Sequence, residues 1–125
     1  MTFQNIKEQV MFQTANDADD LSDFLPALND YVNEGYDMLA WEHVKRHVGT
    51  GDGCISAMAA NSDTPSELPE WTHRAIADYA TYLVYRNGNA VKQSRGIPFY
   101  QSFEAVRQKI CADAIKGRQF TNFYP

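Results

Sequence analysis

The chain is poor in the features that mark exported, membrane-embedded or catalytic proteins. Its 125 residues hold two cysteines, Cys54 and Cys111, far apart and in no CxxC pair. That pattern fits free thiols in a reducing compartment, not a disulfide framework. No apolar run approaches the roughly 18 residues of a bilayer span, so no membrane segment is expected. The opening MTFQNIKEQV has no basic region followed by an apolar one, so no signal peptide is expected.

Catalytic signatures are equally scarce. Nucleophilic catalysis needs an activated Ser, Cys or Lys beside a base, and no GxSxG elbow is present. Neither cysteine has a local His or Lys setting that argues for a reactive thiolate. The glycine-rich GTGDG at Gly49–Gly53 is not followed by Lys-Ser/Thr, so it is not read as a phosphate cradle. His43 and His47 are four residues apart on one helical face beside Glu42, a spacing that can bind a metal. No HExxH and no cysteine pair supplies the remaining ligands, so the expectation is surface or interface histidines. His73 has no evident partner in the sequence. No enzyme, metal or cofactor is expected.

What is present is a globular composition, 44% hydrophobic and 22% charged. A chain of this size buries about two-thirds of its unfolded surface, enough for one domain with a real core. The net charge of −5 hides a split. Residues 1–70 carry three Lys/Arg against 13 Asp/Glu, a net of −10, whereas residues 71–125 carry eight against three, a net of +5. Head-to-tail packing of subunits would use such a split, and simple compensation inside one subunit would serve as well. Lys92, Arg95, Arg107, Lys109, Lys116 and Arg118 are spread out, so sequence-specific nucleic-acid binding is not expected.

Hydrophobic spacing predicts an all-α, four-helix bundle-like domain with a long loop between the second and third helices and an extended C-terminal arm. The first helix is expected over about Phe3–Thr14, with Phe3, Ile6, Val10 and Met11 as its stripe. The second is expected over about Leu21–His47. With Ser22 as N-cap, Pro26 would fall in the first turn, where its missing N–H costs nothing. Its apolar face gathers Leu21, Phe24, Leu25, Leu28, Tyr31, Val32, Gly35, Tyr36, Met38 and Leu39. Asp23, Asp30, Glu34 and Asp37 line the other side, with Trp41 among them. Residues 48–67 read as an irregular loop, with a weak strand signal at Cys54–Ala60. At about 20 residues that loop is long for a compact domain.

The third helix is expected from near Pro69 to a left-handed cap at Asn87-Gly88. Thr72, Ile76, Tyr79, Ala80, Leu83 and Val84 form its apolar face. Trp71, Tyr82 and Tyr85 occupy the side where a solvated helix would carry Lys and Glu. A helix aromatic on two sides needs cover on two sides, and the second cover is expected from a neighbouring subunit. The fourth helix is expected over about Ala90–Ile115, interrupted or kinked near Gly96 and Pro98 and stopped at Gly117. Phe99, Phe103, Val106, Ile110 and Ala114 are its stripe. Domain boundaries are therefore set at 1–117 for the helical domain and 118–125 for the arm. Phe120, Phe123 and Tyr124 in RQFTNFYP would be costly in water, so the arm is expected to dock on a partner.

Residues 68–103 carry LPEWTHRAI, ATYLVYRNGN and the KQSRG…F…SF continuation, and residues 31–41 read YVNEGYDMLAW. Together these resemble the head–tail connector (adaptor) proteins of tailed bacteriophages. The resemblance covers the second to fourth helices and leaves the glycine-rich loop and aromatic tail unmatched. It implies a small helical virion subunit, made in the host cytoplasm, that forms a dodecameric ring at the head–tail junction. The ring would bind the portal protein above and a neck or tail protein below. Packaged DNA would pass through its lumen without sequence-specific contact. On that view Trp41, Trp71, Tyr82, Tyr85, Asp30, Glu34 and Asp37 serve subunit or partner interfaces, and Phe120, Phe123 and Tyr124 anchor the arm. The alternatives are a small helical regulator or assembly chaperone outside the particle, and a metal-dependent helical enzyme using Glu42, His43 and His47.

Overall fold

The computed structural model describes the backbone of residues 1–14, 18–47, 57–86 and 90–122, with side chains described over 1–14, 26–43, 57–86 and 90–112. Four α-helices follow in order: α1 (Phe3–Gln13), α2 (Ala18–His47), α3 (His73–Arg86) and α4 (Ala90–Asn122), with a 3-10 turn at Glu70–Thr72 leading into α3. No strand occurs among the described residues, so the all-α bundle expectation holds.

Helix α1 begins where Thr2 Oγ1 accepts the Asn5 N–H at 3.2 Å, a side-chain cap on an otherwise orphan donor. Two more of its early N–H groups, those of Phe3 and Gln4, donate to the carbonyls of Asp63 and Asn61 at 2.7 and 3.1 Å. The Asp63 carboxylate in turn accepts the Ala59 and Ala60 N–H groups, both at 2.8 Å. These two donors hold the Asp63 carboxyl below its ordinary pKa. Asn33 on α2 pairs both ways with the Met58 backbone, at 3.0 and 2.8 Å. The second half of the α2–α3 connection is thereby tied to α1 and α2, with Met58, Pro65 and Leu68 buried. Residues 57–60 form no strand, and residues 54–56 of the weak strand signal lie outside the described residues.

Helix α3 is the centre of the molecule and touches α1, α2 and α4. Eleven of its residues are buried, from His73 to Tyr85. Ile76, Leu83 and Phe103, expected as core, have no exposed surface. Tyr82 is half-buried and Trp71 stays exposed, whereas helix α4 of the same chain covers α3 at Tyr85. Gly96 explains how. A Cβ there would sit 2.9 Å from Tyr85 Cβ, so the bare backbone lets α4 lie directly on α3. Gly35 does the same for α2, where a Cβ would lie 3.2–3.3 Å from Tyr79 and the Ile76 carbonyl.

Several boundaries differ from expectation. Helix α2 starts at Ala18, before Ser22; the sequence there, Ala-Asp-Asp, is of residue types that favour a first helical turn. Pro26 therefore sits about two turns inside the helix, where it removes one backbone bond. Helix α4 is not interrupted at Gly96 or Pro98, since packing against α3 compensates for the lost bond. Nor does it stop at Gly117: one glycine costs about 1 kcal/mol relative to alanine, too little to end a helix by itself. Residues 118–122 of the expected arm are helical in backbone, and 123–125 lie outside the described residues. Met38, expected on the buried face of α2, is 37% exposed because it sits at the edge of that face. Tyr31, Phe99 and Val106 are half-buried, and the side chains of Leu21, Phe24, Leu25 and Ala114 lie outside the described set.

Candidate interaction surface

The interface residues expected from sequence separate into three groups. Trp41 and Trp71 are 40% and 46% exposed, unusual values for tryptophan on a chain whose core is already filled. Tyr82 is half-buried, its ring 6.1 Å from Tyr79 and 4.8 Å from Tyr100 by centroid. Tyr85 is buried within its own subunit, 6.2 Å from the Phe99 ring and nearly parallel to it. It is therefore a core residue here, not a surface for a neighbour, because Gly96 leaves room for α4 above it.

The aromatic residues form a seam along α3 and α4. Tyr79, Tyr82, Tyr100 and Phe103 follow one another at ring separations of 4.7–6.3 Å. Such tilted pairs each add about 0.5–1.5 kcal/mol beyond area burial. The seam reaches the surface at Tyr100, and Ile97 one turn before it is 50% exposed.

Asp30, Glu34 and Asp37 are exposed on α2 as expected. Leu28, Val32 and Leu39 occupy the opposite side of that helix, in the core. Glu34 is not wholly solvated, since Tyr79 donates its hydroxyl to it at 3.2 Å. Burial, reinforced by the Glu34 charge, pushes the Tyr79 phenol up to about 12. Partial burial also raises the Asp37 carboxyl.

A basic counterpart escaped sequence reasoning. Lys109 Nζ on α4 lies 4.6 Å from the centroid of the Trp71 ring, a cation–π contact. Arg74 is exposed one turn beyond Trp71. Trp71 and Lys109 are far apart in sequence, so no local pattern announces the contact. The charge split of the two chain halves was the one available signal. Part of that split is neutralised internally, where Arg107 lies 3.7 Å from Glu42 of the acidic half.

The metal reading gains little from the geometry. Among the described residues no three His, Cys, Asp or Glu are grouped to hold an ion. Glu42 faces Arg107 and the Cys111 thiol, which donates to it at 3.6 Å. The side chain of His47 and all of Cys54 lie outside the described residues. His73 is buried and does have partners. Its Nε2 donates to the Leu68 carbonyl at 3.1 Å, and its Nδ1 lies 3.3 Å from Glu70 and 3.0 Å from the Met1 amino group. It fastens the turn before α3.

An open cleft of about 440 Å³ lies between Tyr36 on α2 and residues 57–67, with Met58, Asp63 and Glu67 in its wall. Its fixed polar groups have structural work: Asp63 caps backbone N–H groups, and the Tyr36 hydroxyl accepts the Glu67 N–H at 3.4 Å. Phe120, Phe123 and Tyr124, the expected arm anchors, lie outside the described side chains. No described helix is long and apolar enough to cross a membrane. No family model matches the chain, and comparisons with curated proteins and with solved structures likewise return no match.

Proposed function

We propose that this chain is a structural virion protein whose ring connects the capsid portal to the tail and extends the DNA channel. The observation that carries the proposal is the pair of exposed tryptophans: Trp41 on the acidic side of α2, and Trp71 under the Lys109 ammonium. Exposed tryptophan is a typical anchor of protein interfaces. The connector-like stretch at residues 68–103 spans the α3–α4 packing unit, the part of the chain that fixes where Trp71 sits. In this reading the protein acts by geometry. Copies stack around the channel, and the C-terminal segment 118–125 with Phe120, Phe123 and Tyr124 reaches the portal or a neighbouring copy. The downstream face offers a platform to a neck or tail protein, and no enzymatic step or cofactor is involved.

Electron microscopy of the protein mixed with its cognate portal tests this. A ring seated on the portal is the expected result. A chain that binds particle proteins as a monomer or dimer and never enters the particle would instead be a helical assembly factor.

A further inference from the structure

The ring reading leaves open which surfaces meet, and the inference here rests on that reading. The chain presents two charged, tryptophan-bearing patches of opposite sign. One is the acidic stripe of α2, where Asp30, Asp37 and the half-exposed Trp41 lie on the face opposite the core. The other is the corner made by Trp71, Arg74 and Lys109, drawn from the 3-10 turn, α3 and α4. Asp30, Asp37, Arg74 and Lys109 form no ion pair with any described residue.

The patches point in different directions. Arg107 and Cys111 on α4 meet Glu42 of α2. Lys109 is two residues from each, about 200° around the helix, so it faces away from α2. A single copy cannot bring its own corner onto its own stripe. A two-fold dimer would set like against like unless stripe and corner both lay at the dyad, which opposed faces do not permit. Translation with rotation sets the stripe of one copy against the corner of the next, and repeating that step generates a ring or a helical filament.

We infer that the Trp71–Arg74–Lys109 corner is the docking site for the Asp30–Asp37–Trp41 stripe of a second copy of this chain. Arg74 and Lys109 meet the aspartates, and Trp71 and Trp41 supply the apolar contact area. Because the charges are exposed before docking, association weakens as salt rises past the range of surface electrostatics.

A charge-swap experiment tests the pairing. One variant carries Asp30→Lys and Asp37→Lys, and the other carries Arg74→Glu and Lys109→Glu. Glu34 is left alone because it holds Tyr79. Circular dichroism first checks that both variants fold, and mass photometry then reads assembly. Wild-type protein is expected to assemble at low salt. Each variant alone is expected to remain monomeric, and an equimolar mixture is expected to assemble again, since each stripe then meets a corner of opposite sign. The control is Glu8→Lys/Glu67→Lys, reversed at exposed sites outside both patches; with its stripe and corner intact it is expected to assemble alone like the wild type.

Variants that assemble alone like the wild type overturn the pairing and leave the ring reading intact. A Glu8→Lys/Glu67→Lys protein that stays monomeric overturns it too, since charge reversal anywhere would then abolish assembly. Wild-type protein that stays monomeric at every concentration also overturns it, and the portal experiment then decides the ring reading separately.

Discussion

Asp78 is a carboxyl on the most buried helix of the molecule, 9% exposed, and its partner is a side chain of α1. Gln13 donates to it at 2.8 Å and accepts the Thr81 hydroxyl at 2.6 Å, so one amide joins α1 to α3 through both of its polar atoms. Desolvation raises the Asp78 pKa, against smaller opposing effects of Gln13 and Arg74. A carboxyl with a raised folded-state pKa contributes stability that is present below its unfolded value and lost as pH rises through the folded value. At neutral pH the charged form is therefore buried at a cost. Asp78→Asn keeps an acceptor for Gln13 and removes the charge. The urea midpoint of this variant should exceed that of the wild type at pH 7, and the gap should close as pH falls through the carboxyl titration. A gap that widens on acidification would mean that the charge stabilises the fold.

At the scale of elements, the glycines decide the packing. Gly96 reads in sequence as a helix breaker beside Pro98, yet its role is to bring α4 against Tyr85. Gly96→Val should lower stability by about 2–3 kcal/mol in urea denaturation, because the added methyls meet a Cβ and not the movable end of a side chain. Unchanged stability would show that α3 and α4 can separate without penalty. The regular stripes were legible in sequence: Phe3, Ile6 and Val10 recur at helical spacing, and all are fully buried. The cover over Tyr85 was not legible, because a close helix–helix approach depends on the absence of a side chain, and hydrophobic spacing records only side chains that are present. The start of α2 was missed for a different reason. Ser22 and Pro26 make a plausible local start, but Ala18, Asp19 and Asp20 extend the helix ahead of it.

For the whole molecule, the charge split visible in sequence resolves into an internal pair, Glu42 with Arg107, and two outward patches. The acidic patch was legible because its residues share one helix. The basic corner was not, because three elements contribute to it and only the fold brings Lys109 to Trp71. The C-terminal segment belongs to the same scale. Deleting residues 118–125 should abolish portal binding in a pull-down while the far-UV circular dichroism stays helical, since Phe103 and Ile110, the buried anchors of α4, remain. Full portal binding by the truncated chain would remove the segment from the docking scheme.

The central claim is that copies of this chain join into a ring between portal and tail. Cryo-electron microscopy of the full-length protein incubated with its cognate portal addresses it most directly. The account predicts a symmetric ring, coaxial with the portal and open at its centre, with Trp41 and Trp71 at contacts between protein surfaces. Portals that carry no added density beside a monomeric chain would contradict it.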